Sequence, residues 1–404
     1  MSQHAALSRR SLVGGLAGAA LSSIALPAAA DERGGSGGRT LRFMTYNASL
    51  NRGSQGQLVR DLSAPVNAQA RAVAEVIQRC APDVLLINEF DYDAEHRGAE
   101  LFRRNYLSRS QGGQAPLELP HVFTAAVNTG VDSGLDLNGD GRLGTGDDAW
   151  GFGLFPGQYG MVVYSALPID RGAVRTFQHQ LWSQMPDSLL PWDHYGRQIG
   201  QRLRLSSKSH WDIPVRVGRD TIHVLASHPT PPSFDGPEDR NGRRNHDEIR
   251  FWADYITGSR RGSWIRDDDG GSGGLLPGSR FVIMGDLNSD PQDGDSWPGA
   301  TRQLLGHHRV QDPRPSSEGA VEAAAAQGGA NARHLGEHRF DTADFADEAP
   351  GNLRVDYVLP SSNLRVQDSR VFWPAQGQPG AELTGSSPFP TSDHRPVWTD
   401  VRVR

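Results

Sequence analysis

The chain of 404 residues has a single cysteine, Cys80, so no disulfide can close within it and no set of thiolates can hold a soft metal. It has no surplus of positive charge. Its formal charge of −6 argues against a dedicated duplex-DNA binder, whose affinity comes mostly from neutralising phosphates. Past residue 30 nothing looks transmembrane, and there are no internal repeats. An apolar content of 37% with 47 glycines describes a soluble, loop-rich protein instead. The length exceeds the usual single domain but still allows one large domain of packed layers. Cys80 ends an apparent helix and is expected to be a packing residue.

The first thirty residues read as a processing segment. Ser8-Arg9-Arg10-Ser11-Leu12-Val13 precedes a short, weakly apolar run to Leu26, followed by Pro27 and three alanines. A twin arginine, a short apolar run and an A-x-A site resemble a bacterial twin-arginine export signal. That implies the twin-arginine export machinery as a partner, removal of residues 1–30, and a periplasmic or extracellular location. Its loss makes the remaining chain about two charges more negative. Residues 31–40 are expected to be a flexible linker.

From residue 41 the pattern is that of one domain. Apolar runs predict strands at 41–47, 83–89, 161–165, 221–228, 280–286, 354–359 and 396–403. Helical spacing of Val66, Ala70, Val73 and Ile77, and of Ile249, Trp252 and Ile256, predicts helices over 66–80 and 242–257. Segments 91–158 and 313–350 read as surface insertions.

The chemistry gathers at the ends of those strands. Asn47, Glu89, His228, Asp286 with Asn288, Asp356, and Asp393 with His394 each close or open a short apolar run. Carboxylates, amides and two histidines suit a hard cation and a phosphate ester. In this order the motifs resemble the endonuclease/exonuclease/phosphatase superfamily over roughly residues 41–403. The resemblance implies an α+β fold, a four-layer α/β/β/α sandwich of two mixed sheets flanked by helices. It also implies a metal-dependent phosphoesterase using Mg²⁺ or Mn²⁺. Glu89 would be the principal metal ligand, with Asn47 helping to hold the metal or its water and Asp393 nearby. Asp286 would orient and deprotonate the attacking water, and Asn288 would position water or a phosphoryl oxygen. His228 and His394 would donate to the phosphoryl oxygens, with Asp356 holding the His394 ring. Asn88 departs from the glutamine the family commonly carries before its glutamate, which should alter only a supporting contact.

Three features concern specificity and a second metal. Arg243 and Arg244, near the start of the second helix, could hold a further substrate phosphate. The aromatic stretch 177–195 could wall the substrate, though a packed loop is the simpler account. Asp136, Asn138, Asp140, the Arg142 carbonyl and Asp147 occupy positions 1, 3, 5, 7 and 12 of an EF-hand-type loop, with Gly141 at 6. That spacing predicts a structural Ca²⁺. The expected substrate is a small phosphate mono- or diester. The alternatives are an extracellular non-specific nuclease, then a sphingomyelinase-like phospholipase or an inactive binding module.

Overall fold

The computed structural model describes residues 38–258 and 260–403. The expected export signal, and the expected linker up to residue 37, lie outside the described residues. The linker ends earlier than expected: Arg39 and Thr40 open the first strand, where they pair with Val403 and Arg402.

In chain order the strands are β1 (Arg39–Leu50), β2 (Val84–Phe90), β3 (His121–Phe123), β4 (Met161–Ser165), β5 (Arg175–Thr176), β6 (His210–Val217) and β7 (Asp220–Ser227). They continue with β8 (Arg280–Asp286), β9 (Ala343–Asp344), β10 (Asn352–Leu353), β11 (Asp356–Pro360), β12 (Arg365–Val371) and β13 (Val397–Val403). One sheet has the order β12-β13-β1-β2-β4-β3, a second β11-β8-β7-β6-β5, and β9 and β10 form a separate two-stranded ladder, with Ala343 of β9 also bridging His394. Helix α1 (Ala68–Cys80) covers the first sheet, and α2 (Arg240–Thr257) covers the second.

Alternation along the strands builds the layers. Leu41, Phe43, Leu86 and Val163 of the first sheet meet Ile213, Val224, Val282 and Val358 of the second in one buried core. The intervening residues Met44, Tyr46, Leu85 and Ile87 face outward onto Val73 and Ile77 of α1. Leu225, Phe281 and Ile283 do the same onto Ile249, Trp252 and Ile256 of α2. Strands buried on both faces read as unbroken apolar runs, and the architecture is an α+β four-layer sandwich. Cys80 is buried in the α1 layer.

Helix α1 begins at Ala68, two residues later than expected. The Asn67 side chain caps it by accepting from the Ala70 N–H at 2.9 Å, leaving Val66 exposed before the helix. The two segments expected as surface insertions are partly structural. Residues 121–123 add β3 to the first sheet, and Phe102 and Tyr106 pack into the α1 layer. Residues 343–344 form β9, and Thr342 joins the candidate site below. The 177–195 stretch packs: Phe177, Trp182 and Met185 are buried against α2, with Trp182 Nε1 donating to Asp247 at 2.7 Å.

Candidate active site

The pairing of the strands explains why distant residues share one rim. Strands β1 and β2 run parallel, as do β7 and β8, so their C-terminal ends fall on one side of each sheet. Strands β11 and β13 run antiparallel to β8 and β1, so their N-terminal ends fall there too. Asn47, Glu89 and His394 therefore arrive from the first sheet. His228, Asp286, Asn288 and Asp356 arrive from the second, with Asp356 directly opposite Asp286 in the ladder.

Asp286 is the hub. Its Oδ2 accepts from Asn47 Nδ2 at 3.0 Å and lies 3.4 Å from His228 Nε2 and 3.7 Å from His394 Nε2. Its Oδ1 accepts from the Asn288 N–H at 2.8 Å. Burial by itself favours the neutral acid, but the two imidazoles and the Asn47 amide outweigh it and hold the carboxyl well below the usual range. Asn88 lies behind: its Oδ1 accepts from the Asp286 N–H at 3.1 Å while its Nδ2 donates to the Ser227 carbonyl at 3.3 Å. One amide thus ties a strand of the first sheet to two strands of the second.

The two histidines are pushed in opposite directions. His394 Nδ1 lies 2.9 Å from Asp356 Oδ2, which also accepts from Thr342 Oγ1 at 2.8 Å. Burial opposes the imidazolium, yet the Asp356 and Asp286 carboxylates prevail and hold His394 well above the ordinary histidine range. Asp356 itself is pushed up by burial, against the pull of His394, so the two hold a proton as a pair. His228 goes down instead, through burial and then the nearby Lys208 ammonium. Its Nδ1 is buried with no partner among the described residues. Asp286 therefore sits between a neutral imidazole and a charged one.

These groups form the floor of a cavity of about 1030 Å³, lined at this end by Ser49, Glu89, Lys208, His228, Asp286, Asn288, Asp393 and His394. Glu89 Oε2 accepts from Asn51 Nδ2 at 2.7 Å. Ser49, Glu89, Tyr159 and Asn288 all line the cavity with left-handed backbones, at φ 47, 58, 55 and 50°. Such conformations are uncommon for residues other than glycine, and here they collect where side chains must be aimed. Asn47 and Asp356 are not in the lining; they touch Asp286 and His394 from behind. The amide expected to help hold a metal is thus spent on the carboxylate of Asp286, while its Oδ1 accepts from the Ser49 N–H at 3.3 Å.

Sequence reasoning missed Lys208. It is only 5% exposed and faces the cavity from just before β6. Burial lowers its pKa, opposed by Glu248, Glu89 and Asp286. A signal was available: it is the only lysine of the chain, whose 41 basic residues otherwise comprise arginines. Helix α2 holds this corner in place. Glu248 accepts from the Ser207 and Thr230 N–H groups at 2.8 and 2.6 Å, and Asn245 donates to the Thr230 and Leu287 carbonyls, both at 2.8 Å.

The expected phosphate-binding arginines are elsewhere, which corrects that expectation. The Arg244 guanidinium donates to the carbonyls of Leu205, Trp150 and Arg204. Arg243 donates to the Glu238 carbonyl and lies over Trp297. Neither lines the cavity; both satisfy backbone carbonyls and pack, as arginines with planar forks readily do. His223 pairs with Asp212 at 2.7 Å, away from the cavity lining.

The 136–147 loop folds back on its own backbone. Asp136 accepts from the Gly139, Asp140 and Gly141 N–H groups, Asn138 from Asp140, and Asp140 from Arg142. Gly141 turns the chain at φ 80°. Asp147 is exposed, while the adjacent Asp148 is buried and closes the loop on the Leu137 and Thr145 N–H groups.

Asp286, Asp356 and His394 bring one ligand atom each within 4.8 Å of one another, a buried group that could bind a metal. The cavity floor beside it offers oxygen donors from Glu89, Asp393 and Ser49, a set suited to a hard divalent cation.

Other solved structures resemble this fold at low sequence identity. An endonuclease/exonuclease/phosphatase protein from Beutenbergia cavernae superimposes with a TM-score of 0.50 at 20% identity, over 90% of this chain and 72% of that one. Sphingomyelinase C from Streptomyces griseocarneus gives 0.47 at 15%, over 90% and 99%. A family protein from Bacteroides thetaiotaomicron gives 0.46 at 12%, over 91% and 99%. Comparison with curated protein sequences gives no match. The profile of the endonuclease/exonuclease/phosphatase family matches residues 44–394, a span that contains every rim residue described above. The chain therefore belongs to the endonuclease/exonuclease/phosphatase family and is a divalent-metal-dependent hydrolase of phosphate esters.

Proposed function

We propose that this protein is an exported phosphoesterase that hydrolyses small phosphate mono- or diesters by in-line attack of an activated water, with Mg²⁺ or Mn²⁺ as its cofactor. The observation that carries this reading is the position of Asp286, a carboxylate between the His228 and His394 imidazoles on the floor of a cavity. Held as a carboxylate, Asp286 accepts a hydrogen of the attacking water and orients it. A group this acidic takes the proton late, as the P–O bond forms. His394, charged through Asp356, and Lys208 face the same space and would neutralise the phosphoryl oxygens as negative charge grows. His228 borders that space as a neutral ring, and Asn288 orients water or an oxygen.

Glu89 and Asp393, with Ser49 beside them, are the residues we assign to the catalytic cation, in keeping with the one or two carboxylates Mg²⁺ prefers. The bound ion would supply charge neutralisation and help to the leaving oxygen. We assign the Asp286–Asp356–His394 group to proton handling instead, because Asp356 Oδ2 already accepts from two donors.

A nuclease would need a run of basic groups along the mouth. Arg243 and Arg244 are engaged elsewhere, and Arg333 is the one arginine among the described lining residues, which favours the small-ester reading. The test sets plasmid DNA beside a panel of small mono- and diesters, with Mg²⁺, Mn²⁺ or Ca²⁺, for wild type and Asp286→Ala. Ester turnover lost in the variant, with plasmid intact, supports this reading; equal signals from the two proteins would remove it. Export rests on Arg9-Arg10 and the alanines before Asp31, and a mature chain retaining residues 1–30 after expression would contradict it. We also propose that loop 136–147 takes a structural Ca²⁺, on its ligand spacing and the sharp turn at Gly141.

A further inference from the structure

The catalytic floor is only one end of the cavity. The other end is built largely from apolar side chains: Pro232 and Phe234 on one lip, and Phe345, Ala346, Pro350 and Leu353 on the facing wall. The wall comes from the second of the two segments expected as insertions and from β10. The two ends are continuous, since the Phe345 ring meets the His394 ring edge-on with centroids 5.4 Å apart.

Phe234 is the unusual residue of this end. It is 89% exposed and holds a left-handed backbone at φ 67°. A single exposed apolar residue is ordinary, but a bulky side chain in this backbone region is a true outlier. The chain around it is clamped: Asn241 Nδ2 donates to the Ser233 carbonyl at 2.7 Å, and the Asn241 N–H donates to Asp235 Oδ2 at 2.6 Å. Exposure and strain both work against stability, so folding alone does not account for an aromatic ring fixed at this lip. The remaining charges of the lining are mixed, with Asp295 and Glu348 against Arg333. That balance does not attract a polyanionic strand.

Building on the phosphoesterase reading, we propose that the substrate carries a bulky apolar or aromatic group, seated between Phe234 and the wall of Phe345 and Leu353 while its phosphate lies beside His394. The subsite then selects esters by the organic group, as apolar pockets select by size.

The test uses the full chain with Mn²⁺ and two non-hydrolysable probes, phenylphosphonate and methylphosphonate, titrated by calorimetry. Phenylphosphonate should bind about tenfold more tightly or better, the discrimination typical of an apolar pocket. Ala346→Trp, at an exposed position on the wall, should fill the subsite and abolish that preference. Phe234→Ser should reduce it. Equal affinities in wild type, or a preference that survives both substitutions, would overturn the proposal. Turnover of phenyl and methyl 4-nitrophenyl phosphate by wild type and Asp286→Ala separates the two ideas. A phenyl preference in binding without Asp286-dependent turnover keeps the subsite and defeats the phosphoesterase reading; turnover with no preference does the reverse.

Discussion

Replacing Asp356 by Asn tests the site at its best-defined contact. The substitution keeps the shape but removes the charge that His394 Nδ1 meets at 2.9 Å and that Thr342 also meets at 2.8 Å. A hydrogen bond to a charged group contributes about 1.5–3 kcal/mol. At about 1.4 kcal/mol per decade, losing it in the transition state should cut turnover roughly ten- to hundredfold. The fold should survive, because the amide can still accept one of the two hydrogen bonds. The pH dependence gives a second readout. His394 has a raised pKa in the folded protein, so its contribution to stability is complete below the ordinary histidine value of about 6.5 and is lost as pH rises through the folded value. The raised pKa of Asp356 has the same sign, favouring the protonated folded state at lower pH. Wild type should therefore lose melting temperature as pH rises above about 6.5 more steeply than the variant. Kinetics on a 4-nitrophenyl ester, with Asp286→Ala as the blank, and melting curves across that range are the assays. A variant with wild-type turnover and the same slope of melting temperature with pH would refute the reasoning.

Lys208→Met removes a buried ammonium but nearly keeps its volume. Turnover should fall about tenfold or more while melting temperature holds or rises, since replacing a buried charge by an apolar group is often stabilising; undiminished turnover would return Lys208 to a structural role. Glu248→Gln weakens the acceptor of two backbone N–H groups at 2.8 and 2.6 Å and should cost about 1–3 kcal/mol in denaturant titration. An unchanged midpoint would mean that the loops before β6 and after β7 hold themselves. Chelating Ca²⁺ should speed proteolysis within 136–147, read by mass spectrometry of the fragments, and identical digestion with and without chelator would count against a bound ion there.

The fold was legible where burial leaves a plain mark. Val84 to Ile87 and Phe281 to Met284 are buried on both faces, so they appear in the sequence as unbroken apolar runs, with Glu89 and Asp286 beyond or at their ends. Strand β6 escaped because Pro214 lies inside it. The short β5 pairs only with Trp211 and Asp212, so Pro214 owes that neighbour no N–H. Strand β12 escaped because it is a polar edge, exposed along most of its length. At the site, residue types disclosed the chemistry but not the direction of each side chain. Asn47 turns to Asp286, which is 239 residues away, and Arg244 turns to Trp150, 94 residues away. Contacts between distant parts of a chain leave no local pattern. Lys208 left only a compositional trace, being alone of its kind among so many arginines.

Strand β13 follows every other strand in the chain, yet it lies inside the first sheet, between β12 and β1, and His394 sits just ahead of it. While a ribosome is still making residues near 390, the groove beside β1 stands open and the charged imidazole of the site does not yet exist. The closing strand and the imidazole therefore arrive together. A chain interrupted earlier would carry Glu89 and Asp286 but have no working centre, so the enzyme is silent until the strand that completes its core also completes its chemistry.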